Sequence, residues 1–367
     1  MNVFDQKLLA DLQSGFPLVR EPFAEMARRC GWDESAVIAR VEALRREGVI
    51  REISGIFDAQ TLGYRQTLAA FSVPENCLDD AGRIVAGHPG VTHCYSRSGQ
   101  YNLWFTLAVS PQSTLGLDGT IRRLAELSKA TKSMILPTLR RYKLQVRFGE
   151  DVAQATPCCS VAGILPARVA DVPSAKTCDK NDTCNVESLS PNSPAASAAP
   201  MLSDSQLRAI RALQADLPAQ ADPFAPLAAA GGMTVDELLA HAAEFQAAGM
   251  MRRYAAVLHH RSAGATTNVL AAWAVAESAA DAAGAAASGV AEVSHCYLRP
   301  VGDDWPFNLY TMIHGHRRED CQTVIQKIQT LTGLSNHAEL WTLTEYKKRR
   351  MILFGNDEAK WERTNQP

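Results

Sequence analysis

Hydrophobic and polar positions follow two different rhythms along the first part of the chain. Helical spacing comes first and predicts three short helices, at Asp5–Gln13, Pro22–Cys30 and Asp33–Glu47. Two-residue spacing follows and predicts a hairpin-like extended segment over Val49–Phe57, with a turn at Leu62–Gly63. Three helices followed by a β-wing are the pattern of a winged helix-turn-helix.

The positions after the wing predict the order strand, helix, strand, strand, helix, strand, which is a ferredoxin-like βαββαβ unit. The predicted elements are Gln66–Val73, Leu78–Ala86, Val91–Arg97, Tyr101–Ser110, Leu115–Ser128 and Ile135–Phe148. The second half of the chain repeats them at Asn268–Ala276, Ala279–Gly289, Val293–Arg299, Phe307–His314, Cys321–Thr332 and Ala338–Phe354. The fold class is therefore α+β, with two tandem copies of a winged helix-turn-helix followed by a ferredoxin-like domain.

Sequence blocks recur in the same order in both halves, at offsets between 201 and 206 residues. The clearest pair is VTHCYSRSGQYNLWFTL, from Val91, and VSHCYLRPVGDDWPFNLYTM, from Val293. The predicted domains are a first half at 1–150 (winged helix 1–64, ferredoxin-like unit 65–150), a linker at 151–200 and a second half at 201–367 (winged helix 201–265, ferredoxin-like unit 266–356).

The predicted linker differs sharply in composition from its flanks. It has no aromatic residue, and Ala, Pro and Ser dominate it. Such a stretch cannot bury enough apolar area to offset its ordering entropy, so we expect it to be largely disordered. Its four cysteines could hold a metal, but their spacing matches no paired CxxC pattern, and solvated thiols are the simpler interpretation. They are Cys158, Cys159, Cys178 and Cys184.

Charge and hydropathy exclude several classes of protein. With 37 Lys+Arg against 39 Asp+Glu, the formal charge of −2 excludes a generally basic nucleic-acid coat and a polyacidic solvating protein. No uncharged apolar run is long enough to span a membrane. The start, MNVFDQKLLADL, lacks the profile of a secretory signal, so we expect a cytoplasmic protein.

A winged helix joined to a βαββαβ unit resembles the Lrp/AsnC family of transcription regulators, which makes DNA binding the first functional hypothesis. The charges argue against it, because residues 1–60 carry eight basic and ten acidic residues and residues 201–262 carry five and six. The predicted recognition helix Val235–Ala248 has three carboxylates and no Lys or Arg, so phosphates would repel it. In the first half the question stays open, since Arg40, Arg45 and Arg46 lie on the third helix.

Each half also contains a His-x-Tyr-x-Arg row, whose three side chains share one face of a predicted strand. An imidazole, a phenol and a fixed cation then lie on one surface. A polar contact between the halves would explain one row, but its presence in both favours a functional site. The rows are His93, Tyr95 and Arg97 in the first half, and His295, Tyr297 and Arg299 in the second.

The second half carries residues that the first half lacks. Trp305 lies in an insertion before its third strand, His314 ends that strand, and its wing has His259, His260 and Arg261. Such divergence is expected of a pseudo-dimer with one principal site. His314 could be an axial metal ligand, a general acid or a strand histidine with structural hydrogen bonds only.

Basic residues gather near the end of each half, and both a solvated strand edge and a cationic lining for a polyanionic ligand fit them. In YKLQVRF, alternation predicts Tyr142 and Leu144 on one face and Lys143 and Arg147 on the other. No GxGxxG or P-loop pattern offers a cradle for nucleotide phosphates.

The HCY-x-R and (Y/F)-N-L blocks of both halves resemble the two related subunits of the sirohaem (siroheme) decarboxylase family, and the resemblance covers everything except the linker. In that family, Lrp/AsnC-type subunits form a heterodimer that removes the carboxyl groups of two acetate side chains of sirohaem, giving 12,18-didecarboxysirohaem for haem biosynthesis. This chain resembles both subunits fused. The resemblance implies no separate cofactor, because the iron arrives with the substrate. A tetrapyrrole-sensing regulator is the remaining alternative.

The resemblance also implies roles for individual residues. His295 and His260 would be proton donors or, like His314, axial ligands of the substrate iron, with Tyr297 orienting or relaying. Substrate-binding residues would be Arg253, Arg261, Arg299 and Lys347 for the carboxylates, and Trp305, Asn308 and Tyr310 for the rest of the macrocycle. His93, Tyr95 and Arg97 would complete this pocket or form a second, degenerate one.

Overall fold

A computed structural model describes residues 3–144, 200–258 and 267–366. The first half comprises α1 (Val3–Ser14), α2 (Pro22–Cys30), α3 (Glu34–Arg46), β1 (Ile50–Phe57), β2 (Arg65–Ser72), α4 (Leu78–Gly87), β3 (Val91–Arg97), β4 (Leu103–Val109), α5 (Gly116–Leu127), β5 (Lys132–Leu136) and β6 (Arg140–Leu144). The second comprises α6 (Asp204–Gln214), α7 (Ala225–Ala230), α8 (Val235–Ala247), β7 (Met251–Leu258), β8 (Thr267–Trp273), α9 (Ala280–Ser288), β9 (Val293–Leu298), β10 (Leu309–Gly315), α10 (Arg318–Thr332), β11 (His337–Lys348) and α11 (Asn356–Thr364). The predicted linker, apart from its last residue, lies outside these ranges.

Both halves contain the predicted helix-turn-helix, and local sequence sets its turns. Gly31 ends α2 at φ 71°, and Gly232 occupies the corresponding turn at φ 62°, a left-handed conformation that glycine adopts without steric cost. Ser203 and Thr234 begin α6 and α8 as capping boxes, in which each side-chain oxygen accepts a backbone N–H three residues on. No helix of the described residues is long and apolar enough to cross a membrane.

The extended segment after each helix trio pairs with its counterpart from the other half. β1 and β7 form an antiparallel two-stranded sheet along their whole length. The predicted hairpin over Val49–Phe57 is therefore wrong, because the other half supplies the strand partner. Beneath this sheet, one apolar core joins both helical units, and the rings of Phe16, Phe224 and Tyr254 contact one another there.

The remaining strands form one sheet in the order β5-β2-β4-β3-β11-β8-β10-β9-β6. The halves exchange their last strands: β11 pairs with β8 over His337–Trp341 and then with β3 over Thr342–Lys348, whereas β6 pairs with β9. The single strand predicted at Ile135–Phe148 is therefore two strands, β5 and β6, in its described part, and residues 145–148 lie outside the described residues. Pro137 lies between them, and proline has no N–H to donate to a ladder.

Each ferredoxin-like unit has two different faces. Its helices cover the outer face with apolar cores of their own. The inner faces of the two halves pack against each other through large buried side chains, among them Trp104, Met134, Trp305, Tyr310 and Leu340. The α+β fold class is confirmed, and the two units form a closed pseudo-dimer within one chain.

The C-terminal helix α11 was not predicted, and it packs against the first half although it belongs to the second. Glu362, which is buried, accepts hydrogen bonds from the N–H (3.1 Å) and hydroxyl (2.7 Å) of Thr114, just before α5. A carboxylate in this position satisfies N–H groups at the start of a helix. Trp361 lies edge-on to His88 at a centroid distance of 4.4 Å. The end of the second half therefore closes over the first.

Candidate functional site

The two His-x-Tyr-x-Arg rows lie on β3 and β9, with each row on the inner face of its sheet. In the first row the ring centroids of His93 and Tyr95 are 6.3 Å apart, and the guanidinium carbon of Arg97 is 5.2 Å from the tyrosine ring. The second row repeats this geometry at 6.1 and 5.1 Å. The predicted sharing of one face within each row is confirmed.

Both row arginines are buried without a carboxylate partner among the described residues. Arg97 is 4% exposed and Arg299 8%. Each Nη1 donates to a backbone carbonyl of the other half, Leu340 at 2.9 Å and Leu136 at 2.5 Å, while each Nε has no hydrogen-bond partner in the part of the chain that the structure describes. Burial lowers the pKa of both guanidinium groups to about 10, so both stay cationic at neutral pH. Unpaired buried cations of this kind favour an anionic ligand.

A β-bulge precedes each row histidine and brings a hydroxyl group against its ring. The register of β9 against β10 slips between Val293 and His295, so Ser294 is the extra residue, and its Oγ lies 2.8 Å from the Nδ1 of His295. In β3 the extra residue is Thr92, whose Oγ1 lies 3.0 Å from the Nδ1 of His93. Bulges often re-aim side chains at functional sites. Among the described residues, no hydrogen bond engages the Nε2 of either ring.

Burial and neighbouring basic groups lower the pKa of three imidazoles at the two rows. Surrounding protein and then Lys348 lower the pKa of His93. The pKa of His295 is lowered by its surroundings and then by His93 of the other half. Burial, His295, Lys348 and Arg97 lower the pKa of His314 to about 4. All three imidazoles are therefore mainly neutral at pH 7.

Paired strands connect the rows across one continuous sheet face. Lys348 of β11 lies opposite His93, and Thr342 of β11 lies opposite Arg97. The Oγ1 of Thr342 donates to the Oδ1 of Asn268 at 2.6 Å, and Asn268 lies opposite His314. We call this surface the shared face. Its residues are His93, Tyr95, Arg97, Asn268, His295, Tyr297, Arg299, His314, Thr342 and Lys348.

Trp305 and Tyr310, expected to contact the macrocycle, lie inside the protein instead. Their exposed fractions are 5% and 1%. The Nε1 of Trp305 donates to the hydroxyl of Tyr310 at 2.8 Å, and that hydroxyl donates to the carbonyl of Phe307 at 3.1 Å. The binding role expected of both stays a prediction, since spacing along a strand does not say whether a ligand or the other half covers an aromatic ring.

Asn308 has a structural role in place of the expected ligand contact. Its Oδ1 accepts the N–H of Val275 and its Nδ2 donates to the carbonyl of the same residue, both at 2.9 Å. Asn102 makes the same pair of hydrogen bonds with Val73 in the first half. The recurring asparagine therefore fixes the end of a strand, and substrate binding by Asn308 stays a prediction.

Lys347 was predicted to hold a substrate carboxylate, and this role stays a prediction. Its Nζ donates to the carbonyls of Ala86 and His88 at 2.8 Å, beyond the last turn of α4. A register shift between Glu345 and Lys347 turns this lysine toward the helices. The same shift brings the next residue, Lys348, to the shared face.

The corresponding shift in β6 defeats the alternation predicted for YKLQVRF. The register slips between Arg141 and Lys143. Tyr142 donates to Asp281 at 2.7 Å and Lys143 to the carbonyl of Val290 at 2.7 Å, so these neighbours both face the helices. The alternation predicted for YKLQVRF therefore fails at Tyr142 and Lys143, and its residues from Gln145 on lie outside the described residues.

Three further predicted residues stand apart from the shared face. Arg253 is exposed on β7, in the two-stranded sheet, and no contact among the described residues joins it to either row. His260 and Arg261 lie outside the described residues and stay predictions.

Sequence reasoning missed four residues of this site, namely Thr92, Asn268, Ser294 and Lys348. A signal existed for two of them, because a hydroxyl residue directly precedes the histidine in both VTHCY and VSHCY. For Lys348 and Asn268 no local signal existed, since the exchange of strands between the halves decides their neighbours.

Comparison with known proteins places both halves in the same pair of families. The siroheme decarboxylase NirDL-like HTH domain matches residues 5–51 and 207–252, and the AsnC-like ligand binding domain matches residues 61–143 and 262–347. The class defined by fold and site is thus a tandem AsnC-like protein whose two ligand-binding domains share one polar face.

The chain belongs to the sirohaem decarboxylase family. The siroheme decarboxylase of Hydrogenobacter thermophilus is 31% identical over 360 residues, covering 98% of this chain and 97% of that protein. The alpha and beta subunits of siroheme decarboxylase from Desulfovibrio desulfuricans are each 38% identical, over 153 and 146 residues, or 41% and 40% of this chain and 86% and 92% of each subunit. The crystal structure of the siroheme decarboxylase NirDL in complex with an iron-uroporphyrin III analogue superposes with a TM-score of 0.76 at 26% identity, covering 99% of this chain and 98% of that one.

Proposed function

We propose that the chain is a sirohaem decarboxylase that binds its tetrapyrrole on the shared face and removes the carboxyl groups of two acetate side chains, giving 12,18-didecarboxysirohaem. The observation that carries the proposal is the full-length similarity to sirohaem decarboxylases in sequence and in fold. The shared face adds the chemistry, because it combines buried cations with neutral imidazoles.

Sirohaem carries eight carboxylates, so a nearly neutral protein must concentrate its cations where the substrate lies. Within the described part of the chain, the buried Nε of Arg97 and of Arg299 has no hydrogen-bond partner, and a guanidinium can bind a carboxylate through two parallel N–H groups. Lys348 adds an exposed ammonium beside His93. These three cations come from both halves, which is why we assign one substrate to the pair of rows.

Decarboxylation breaks the bond between the acetate methylene and its carboxyl carbon and releases CO2. The electron pair stays on the methylene, where the macrocycle delocalises it, until a proton converts the carbon to a methyl group. The protein must therefore desolvate the leaving carboxylate and deliver one proton for each CO2 released. The arginine end of each row, which is buried, serves the first requirement, and an imidazole serves the second.

His295 is the proton donor in this proposal. Its lowered pKa keeps the ring neutral. In this neutral ring Nε2 carries the proton that goes to the substrate, while Nδ1 lies 2.8 Å from the hydroxyl of Ser294. Tyr297, next along the row, orients the macrocycle, and His93, Tyr95 and Arg97 complete the site. His260 and Arg261 keep their expected roles as donor and anchor.

Anaerobic incubation of the purified chain with sirohaem, followed by mass spectrometry of the tetrapyrrole, tests the proposal. We expect loss of two carboxyl groups as CO2, with a singly decarboxylated species at early times. Sirohaem that stays unchanged under strict anaerobiosis, with folding verified by circular dichroism, would refute the assignment.

DNA binding is the competing function, and the helical units argue against it. Arg40 of α3 pairs with Asp5 at 2.6 Å and with Glu47 at 2.8 Å, while Arg45 pairs with Asp216 at 2.8 Å. Two cations of this helix are therefore neutralised within the protein. A gel shift with DNA from the protein's own operon should show no salt-sensitive, sequence-specific complex, with or without tetrapyrrole.

A further inference from the structure

We propose that Ser294 is a positioning residue that links His314 to His295 and so supplies the proton that His295 gives to the substrate. The inference rests on the proposed decarboxylation and adds the route by which His295 is reprotonated. It assigns different tasks to the two rows, because the first row has no second imidazole within reach of its hydroxyl residue among the described residues.

The geometry of a three-member chain supports this assignment. The Oγ of Ser294 lies 2.8 Å from the Nδ1 of His295 and 3.1 Å from the Nε2 of His314. The same hydroxyl donates a longer hydrogen bond, 3.2 Å, to the carbonyl of Met312. Ser294 is 7% exposed, so bulk water does not replace it at this position.

Comparison with the first half shows what the second half has gained. There the hydroxyl of Thr92 lies 3.0 Å from the Nδ1 of His93, but its other partner, at 2.6 Å, is the hydroxyl of Thr106. A threonine hydroxyl has no ionisation near neutral pH and cannot store a proton. The bulge is therefore common to both halves, whereas the chain of two imidazoles and a hydroxyl belongs to the second.

Protons balance along this chain. As the C–C bond breaks and CO2 leaves, the electron pair on the methylene takes the proton of His295 Nε2. Ser294 gives its hydroxyl proton to the Nδ1 of His295 and receives one from the Nε2 of His314. Solvent then reprotonates His314, which is only half-buried. One proton is consumed for each CO2 released, and no oxidant or reductant is needed.

Steady-state kinetics of Ser294→Ala with sirohaem test the relay. We expect kcat to fall by about tenfold with KM changed by less than about twofold, because the relay acts on proton delivery and not on binding. Ser294→Thr, which keeps the hydroxyl, should restore at least half of the wild-type kcat. Ser288→Ala, the same substitution at the exposed end of α9, is the matched control and should behave as wild type.

A double-mutant cycle separates a relay from independent contributions. His314→Gln should lower kcat by a similar factor, and the double variant with Ser294→Ala should be no slower than the worse single variant. The absorption spectrum of bound sirohaem should be the same in wild type and in each variant, because none of these changes touches an iron ligand in this scheme.

Three results would overturn the relay while leaving the decarboxylase assignment intact: a wild-type kcat in Ser294→Ala, additive losses in the double variant, or a shifted spectrum of the bound tetrapyrrole. Failure of the wild-type chain to release CO2 would instead remove the proposed function itself. The two failures are therefore distinguishable in one set of assays.

Discussion

In the larger sheet, the two halves are joined by two pairs of strands, β3 with β11 and β6 with β9, which we call the two junctions. Both come from the same repeated sequence, but the strand is continuous at only one of them. At the β3–β11 junction, β11 runs unbroken from one half into the other, and Trp341 lies at the crossing. At the β6–β9 junction, Pro137 occupies the corresponding position and divides the strand into β5 and β6. Only the first junction therefore extends one sheet face from row to row. We infer that the duplicated fold gives one principal site because only one of its junctions is a continuous strand.

The two rows, like the two junctions, differ from each other in the residues that surround them. The first row has a lysine opposite its histidine and a threonine pair behind it, which suits the binding of carboxylates. The second row has Ser294 and His314 behind its histidine, which suits proton delivery. We infer that the first half mainly holds the substrate and the second mainly protonates it. The predictions below test this division.

Replacing each row histidine by alanine gives the largest expected difference in kcat between the two rows. His295→Ala should lower kcat by about 100- to 1,000-fold, because general acid catalysis typically contributes at least this much. His93→Ala should lower kcat by about tenfold or less and act mainly on KM. Steady-state assays with sirohaem measure both. Equal losses of kcat would contradict the division of tasks between the rows.

Removing either buried guanidinium group tests whether one substrate spans both rows. Arg97→Leu and Arg299→Leu should each raise KM by about 10- to 100-fold, since a charge-assisted hydrogen bond contributes about 1.5–3 kcal/mol. The exposed Arg28→Leu is the control for loss of a positive charge. Circular dichroism and urea unfolding must show a folded chain in each case. A large effect at only one arginine would argue for a site confined to that half.

Sequence predicted the rows because they depend only on alternation within one strand. The residues around them depend on which strand of the other half lies alongside, and on bulges that shift the register by one residue. Lys347 and Lys348 show this clearly, since the register of β11 against β3 decides which of these adjacent lysines lies opposite His93. Trp305 is a second case: an inserted aromatic residue was interpreted as a ligand contact, and it fills the space between the two inner faces.

The helical units were predicted more completely than the site, for a related reason. Capping residues and left-handed glycines act within a few residues, so Gly31 and Thr234 mark their turns in the sequence itself. The pairing of β1 with β7 joins residues about 200 positions apart, and local patterns do not encode it. Contacts between the halves were therefore the main source of error.

A buried histidine in the first half should make stability depend on pH. Burial first, then Lys347, lowers the pKa of His88 from 6.5 to about 4, whereas Val290 stands at the corresponding position of the second half. Since the unfolded chain then binds more protons between these pKa values, stability is full above about pH 6.5 and falls as the pH drops toward 4. The linkage relation gives a loss of about 2 kcal/mol between pH 7 and pH 5.

His88→Val, which copies the second half, should remove this contribution. Urea unfolding at pH 7 and pH 5 measures the difference between wild type and variant, and contributions from other histidines cancel because both chains share them. An unchanged pH dependence in His88→Val would show that His88 is not the group responsible.

The smallest expected effects, on stability and on KM, distinguish Lys347 from Lys348, the adjacent lysines of β11. Lys347→Met should lower the free energy of unfolding by about 1 kcal/mol, because it removes hydrogen bonds to carbonyls at the end of α4, and Lys143→Met should do the same at the end of α9. Neither should change KM for sirohaem. Lys348→Met should have the opposite profile, raising KM with little effect on stability. If Lys347→Met and Lys348→Met raised KM equally above the wild-type value, Lys347 would belong to the substrate site. A lysine that contacts only the carbonyls at a helix end should not affect substrate binding.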